Sequence, residues 1–213
     1  MDRPYKLPAN EVEVEVKILN SRFIASLAPA LSVDQAKIYI KGIKSRYPDA
    51  THHVSAFIIG FPPGVITHSN DDGEPPGTAG RPLLTVLTGS GLGDIVAVVT
   101  RYFGGTKLGT GGLVKAYTLA AQEGLHVLPL AQKIPMTTIQ MTMDYPWYDR
   151  INILIAAFDG EILQKNFAEQ INIDVRFSDD KWGYFDPALQ KLTNASVKPV
   201  LITQNVDMIV PIK

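Results

Sequence analysis

Residues 101–112 read Arg101-Tyr102-Phe103-Gly104-Gly105-Thr106-Lys107-Leu108-Gly109-Thr110-Gly111-Gly112, a composition suited to holding an anion. Glycine carries no Cβ, so Gly104, Gly105, Gly109, Gly111 and Gly112 let backbone N–H groups come close to a ligand. The pattern predicts a loop over 101–112, leading from a strand into a helix that begins at Leu113. The first N–H groups of a helix lack intrahelical partners and carry a partial positive charge, which suits a phosphate-type group. Arg101 and Lys107 add full charges, Thr110 adds a hydroxyl, and Arg81 and Lys115 lie close enough in sequence to contribute. The competing reading is that the glycines serve only tight turns and close packing. Gly104 and Gly109 have Walker A spacing, but Thr110-Gly111 replaces the Lys-Ser/Thr that such a loop requires. No G-x-G-x-x-G opens a strand–helix–strand unit either, so kinase and dehydrogenase readings find no support.

A second group of chemically capable residues precedes this loop. Asp71, Asp72 and Glu74 flank Gly73 and are followed by Pro75-Pro76-Gly77. Carboxylates this close can hold Mg²⁺ or, with His53 as a third candidate, act as acid and base. They can equally shape a turn by accepting backbone hydrogen bonds, or pair with Arg81 or Arg101. His52 and His53 are adjacent on a predicted strand and point to opposite faces, so one of them at most turns toward the glycine-rich loop. Ser90 lies in Gly89-Ser90-Gly91 without a nucleophile elbow around it, which argues against a serine hydrolase. Further along, Trp147, Tyr148, Trp182, Tyr184 and Phe185 are candidates for stacking on bases or for ordinary core packing.

These residues need a scaffold, and the chain has the means to build one. It has 213 residues, 46% hydrophobic and 19% charged, with a net charge of −1, the balance of a globular protein with real cores. There is no cysteine, which excludes disulfides, thiolate nucleophiles and cysteine metal sites. No run of 18 apolar residues is present, and the first residues lack a signal-peptide core, so a cytoplasmic location is expected and a membrane partner is not. Neither half of the chain has the cationic excess of a protein that coats nucleic acid by charge alone. Arg81, Arg101, Lys107 and Lys115, however, face a single acid, Asp94, within 81–117, so the local field is positive.

Val12, Val14, Val16 and Ile18 alternate with Glu13, Glu15 and Lys17, the period of a half-buried strand. Residues 22–27 resume as a second strand. Ser32 reads as the N-cap of a helix over 33–47, stopped by Pro48. A buried strand over 52–61 follows, then a loop over 67–77 rich in turn formers, a short helix over 80–87, a buried strand over 94–100, and the helix from Leu113 to about Val127. After residue 131 the pattern restarts as strand (134–143), helix (146–158), two strands (161–167 and 171–177), helix (180–192) and strand (200–210). That order is the ferredoxin-like one. The expected class is α+β, with one domain over 1–131 and another over 132–213.

Asp71-Asp72-Gly73-Glu74-Pro75-Pro76-Gly77-Thr78-Ala79-Gly80, followed by Val99-Thr100-Arg101-Tyr102-Phe103-Gly104-Gly105-Thr106-Lys107-Leu108-Gly109, resembles the Impact family, whose bacterial members are called YigZ-like; Ala50-Thr51-His52-His53 fits as well. The resemblance covers essentially the whole chain, and the two long motifs match without departure. It implies an N-terminal domain like the second domain of ribosomal protein S5, and a ferredoxin-like C-terminal domain similar to the last domain of elongation factor G. It also implies a link to translation, because the eukaryotic namesake regulates translation by competing for an activator of a stress kinase, through a domain that these residues do not match. The expectation is therefore a translation-associated regulator or binding protein that recognises RNA, the ribosome or a phosphate group, without a cofactor. An enzyme acting on a phosphorylated metabolite or nucleotide, and a pure protein-interaction module, are the alternatives.

Overall fold

In this computed structural model residues 4–212 are described, and the chain divides by its internal contacts into two compact units with the bodies Tyr5–Gln132 and Lys133–Val210. The first unit holds β1 (Tyr5–Pro8), β2 (Val12–Ile18), β3 (Ser21–Pro29), α1 (Val33–Arg46), β4 (His52–Ile59), β5 (Ile66–Asn70), α2 (Gly80–Gly89), β6 (Ile95–Tyr102) and α3 (Gly109–His126). Five of these strands form a sheet in the order β2-β3-β6-β4-β5, with every neighbouring pair antiparallel.

The central strand β6 explains the layering. Successive side chains point to opposite faces, and both faces of this strand are apolar. Ile95, Ala97 and Val99 pack with Leu83 and Leu87 of α2 and with Ala116, Tyr117 and Ala120 of α3. Val96 faces the other way and packs with Phe57, Ala28 and Ala36 under α1. The sheet thus lies between two helices on one face and one helix on the other. Ser32 caps α1, its Oγ accepting from the Gln35 N–H at 3.2 Å, and Lys44 and Arg46 fill the last turn where a positive charge is favoured.

The registers fix the helix directions. Phe23 pairs with Arg101 and Leu27 with Ala97 across β3 and β6. Tyr117 packs edge-on against Phe23, while Gly124 lies against Leu27. So α3 starts at the Arg101 end of the sheet. The start of α2 lies there too, since Gly80 abuts Asn70, which pairs with Ser55 of β4.

The second unit contains most of β7 (Leu130–Met143), then α4 (Tyr145–Ala157), β8 (Glu161–Phe167), β9 (Ile171–Ser178), α5 (Asp179–Thr193) and most of β10 (Val200–Pro211). β9 lies between β7 and β8 in antiparallel register, and β10 pairs with β7. One face of this sheet carries Ile139, Met141, Ile173, Val175 and Phe177 against Ile151, Ile155, Phe185 and Leu189 of the two helices. The opposite parity is polar, and a shallow cavity of about 310 Å³ there is lined by Gln140, Gln164, Asn166, Asn172 and Asp174.

Several elements differ from the sequence expectation, among them β6, which runs to Tyr102, and β7, which starts at Leu130. Residues 66–70 form β5 instead of belonging to the loop: strand pairing with β4 overrides their turn propensity. The helix expected from Leu113 begins at Gly109, so Gly111 and Gly112 belong to its first turn. Strand β1 was not anticipated; Leu7 in it is fully buried.

Candidate functional site

The end of the first sheet where α2 and α3 begin gathers both motifs. The segment after β5 is held by its own acids. Asp71 accepts from three backbone N–H groups, with Oδ1 at 2.7 Å from Gly80 N and 3.1 Å from Ala79 N, and Oδ2 at 2.8 Å from Gly77 N. Partial burial pushes this carboxyl upward in pKa, but the three amides together outweigh that effect and leave it below the usual aspartate value. Asp72 turns the other way, to Lys44 Nζ at 2.6 Å and to the His53 N–H at 2.7 Å. Burial raises its pKa and the Lys44 and His53 hydrogen bonds lower it further than that, so it too is held ionised.

Glu74 points inward. Its side chain is 3% exposed; Oε1 accepts from Arg101 Nη1 at 2.6 Å and from the Tyr117 hydroxyl at 2.7 Å. Oε2 lies 3.9 Å from His52 Nε2. Arg101 also stacks between Phe23 and Phe103, each ring centroid 5.4 Å from its guanidinium carbon. Burial, then the bond to Glu74, raises the Tyr117 phenol well above its ordinary pKa. Three chain segments are therefore joined by one buried carboxylate.

Arg101 was expected as an open charge in a loop, and its position corrects that. It is on β6, in the same parity as Ile95, Ala97 and Val99, and so turns into the core under Tyr117, where Glu74 neutralises it. That parity was readable in the sequence had the strand been carried two residues further. Asp71, Asp72 and Glu74 point to three different sets of partners, and among the described residues no group of three acidic or histidine side chains is arranged to hold a metal. The acid–base trio is also separated: His53 donates through Nε2 to the Tyr47 carbonyl at 2.9 Å and stands 3.8 Å from Asp72, while the neighbour of Glu74 is His52. His52 donates through Nδ1 to the Asp72 carbonyl at 2.9 Å, so in the neutral ring the bare nitrogen is the one that faces Glu74.

The loop from Phe103 to Leu108 is pinned as far as Thr106: the Phe103 N–H donates to Thr51 Oγ1 at 3.1 Å, and Asn20 Nδ2 donates to Thr106 Oγ1 at 3.2 Å. A Cβ on Gly104 would clash with the Asn20 carbonyl oxygen, so this glycine serves close packing. From Lys107 onward the chain opens. Gly109 has φ +70°, a left-handed conformation that favours glycine, and nothing lies within 4 Å of where a Cβ would be, there or at Gly111. Leu108 in the cap position gives α3 no side-chain cap. Gly105, Lys107, Thr110 and Lys115 are exposed, and Gly112 is half-buried against Leu108. Arg81 is exposed in the first turn of α2 and lines a groove of about 730 Å³ between α2 and α3, together with Gly77, Thr85, Val114, Thr118 and Gln122. Among the described residues Arg81, Lys107 and Lys115 take part in no ion pair.

In the second unit Trp147, Tyr148 and Trp182 pack against the core, Phe185 is fully buried, and Tyr184 is 71% exposed. None of the five is carried by a strand. No described helix is long and apolar enough to cross a membrane.

Known proteins resemble this chain in sequence and fold. The Impact N-terminal domain family matches residues 19–125, which span β3 to α3 and contain both motifs. The chain is 37% identical over 199 residues to the Escherichia coli protein named IMPACT family member YigZ, covering 93% of this chain and 98% of that one. It is 36% identical over 182 residues to IMPACT family member YvyE of Bacillus subtilis, covering 85% and 83%. A crystal structure described only as that of a hypothetical protein superposes with a TM-score of 0.63 at 36% identity, over 95% of this chain and 99% of the other. With a family model matching half of the chain and relatives above 30% identity covered over most of their length, the chain belongs to the Impact family.

Proposed function

We propose that the protein is a translation-associated binding protein whose first unit takes an RNA phosphate at the open start of α3. The observation that carries this reading is the uncapped, open first turn at Gly109–Gly111, with Lys107 and Lys115 exposed on the same segment, Arg81 exposed on the α2 side of the adjoining groove, and none of the three in an ion pair among the described residues. Orphan N–H groups and the helix dipole favour an anion there, and three cations free of internal partners raise the local potential. Gly104, Gly105 and Gly112 shape the approach, and Thr110 offers a hydroxyl to a phosphate oxygen. Arg101 takes a different role from the one first expected: with Glu74 and Tyr117 it fixes the loop from behind.

The link to translation rests on the family resemblance, as does the assignment of the first unit to the S5 domain 2-like fold. The strand order β10-β7-β9-β8 with both helices packed on one face supports the ferredoxin-like assignment of the second. Its open face, lined by amides, would then meet RNA or protein through hydrogen bonds instead of stacking.

Filter binding of a single-stranded RNA across a salt series tests the reading. Each phosphate contact contributes roughly 0.7 to the slope of log affinity against log salt. Replacing Arg81, Lys107 and Lys115 by alanine is expected to lower that slope by about 2. A salt-independent affinity, or a slope that the triple variant leaves unchanged, removes the proposal.

A further inference from the structure

The opposite face of the first sheet carries a second, chemically different groove. α1 covers β3, β6 and β4 through Ala28, Val96, Phe57 and Ile59, and β5 lies beyond its reach at the edge. A cavity of about 590 Å³ remains between them. Its apolar lining is Val33, Ile40, Phe57 and Ile66, with Ile66 57% exposed, and polar side chains of β4 and β5, His68 among them, complete the wall. Its rim is Lys37, Lys41 and Lys44 along α1, and no Asp or Glu lines it. Lys44 is bound to Asp72, whereas Lys37 and Lys41 enter no ion pair among the described residues.

From this we infer a docking site for an acidic, extended peptide segment of a partner protein, added as a sixth strand to the free edge of β5. Three observations converge on that occupant. The outer edge of β5 has no strand beside it among the described residues, which leaves a row of N–H and C=O groups facing outward, as in recognition by strand addition. The helix runs alongside that edge: Ile66 pairs with Ile59 near the start of α1, and Lys44 reaches the segment just after Asn70. Lysines four apart on a helix rise about 6 Å, close to the roughly 6.6 Å between alternate residues of a strand. Carboxylates at alternate positions of the added strand therefore meet Lys37 and Lys41 in step. The wall also carries His68, exposed and packed on the 3% exposed Phe57, so the RNA arm of the test below decides whether that ring and the lysines serve a nucleic acid instead.

The experiment uses the whole chain and a labelled eight-residue peptide alternating Asp with Val and Leu, its counterpart with Lys in place of Asp, and an oligouridine RNA of matched length. Fluorescence anisotropy is expected to show binding of the acidic peptide only, weakened at least about tenfold by Lys37→Glu with Lys41→Glu. Hydrogen exchange is expected to slow in residues 66–70 when that peptide is bound. Alanine at Arg81, Lys107 and Lys115 is expected to leave it unchanged, which keeps this test separate from the RNA reading. Equal binding of both peptides, no binding of the acidic one, or no protection of β5 overturns the inference. RNA binding abolished by the Lys37 and Lys41 substitutions would make the groove a nucleic-acid site instead. Circular dichroism on the charge-reversed variant, whose two changes are on exposed helix positions, guards against loss of fold.

Discussion

α2 and α3 begin side by side at one end of the first sheet, and their first turns are treated in opposite ways. At α2, Asp71 reaches across the turn and accepts from Gly77 and Ala79, just before the helix, and from Gly80, its first residue, so these amides are satisfied from inside the protein. At α3 the cap residue is a leucine, and among the described residues no side chain accepts from the first turn. The same contrast separates two cations six residues apart. Arg101 is buried on Glu74, and Lys107 is exposed without an ion pair. A helix start closed by an internal carboxylate contributes to stability, and one left open to solvent remains available to a ligand. The difference teaches which half of the motif holds the site together and which half faces outward.

The largest expected effect strikes the closed half. Arg101→Ala leaves Glu74 buried with only Tyr117 and a distant His52, and it is expected to cost about 3–5 kcal/mol in urea unfolding. If the contrast holds, the double change Arg101→Met with Glu74→Leu restores much of that stability, because no unpaired charge remains. A small loss for Arg101→Ala alone would break the comparison. Next in size, Asp71→Ala removes the acceptor for three amides and is expected to cost about 2 kcal/mol, whereas no acid at the start of α3 exists to lose. The acid limb sharpens this. The Asp71 pKa is lowered on folding, so its contribution is complete above the ordinary aspartate value of about 4 and is lost as pH falls below it; the wild type and Asp71→Asn are expected to converge in stability there.

Smallest in energy but most diagnostic is Thr110→Asp, which places a carboxylate in the open first turn of α3. It is expected to stabilise the protein by about 0.5 kcal/mol through the helix dipole while weakening RNA binding. Opposite signs in the thermal melt and the filter assay support an open anion site; equal and small changes in both argue that the turn is merely uncapped.

Much of the scaffold was readable before any coordinates. The Glu-Val alternation in β2, the Ser32 cap and the double-sided apolar run of β6 specify local structure by patterns that need no distant partner. The missing parts depend on such partners. Thr67, His68, Ser69 and Asn70 are turn formers that become strand because β4 offers them a ladder. Gly109 starts a helix despite its poor propensity, since Leu113, Ala116 and Tyr117 bury the rest of the turn. Pairing of the carboxylates at 71–74 with Arg101 is one of the readings the sequence leaves open, but that Glu74 makes it, inside the core, is not legible there. The two residues are 27 apart, and it is the parity of β6 that turns Arg101 toward Glu74.

The buried phenol of Tyr117 has a practical consequence in alkali. Tyr117 resists ionisation in the native fold through burial and its bond to Glu74, and Tyr39, Tyr47 and Tyr102 are raised as well, each chiefly through burial. Because an unfolded chain would release those protons near pH 10, native stability must decline as the solution becomes more basic than that. A spectrophotometric titration of the wild type against Tyr117→Phe therefore isolates one late-ionising phenol, which registers whether the carboxylate behind the loop is still enclosed, with no label attached.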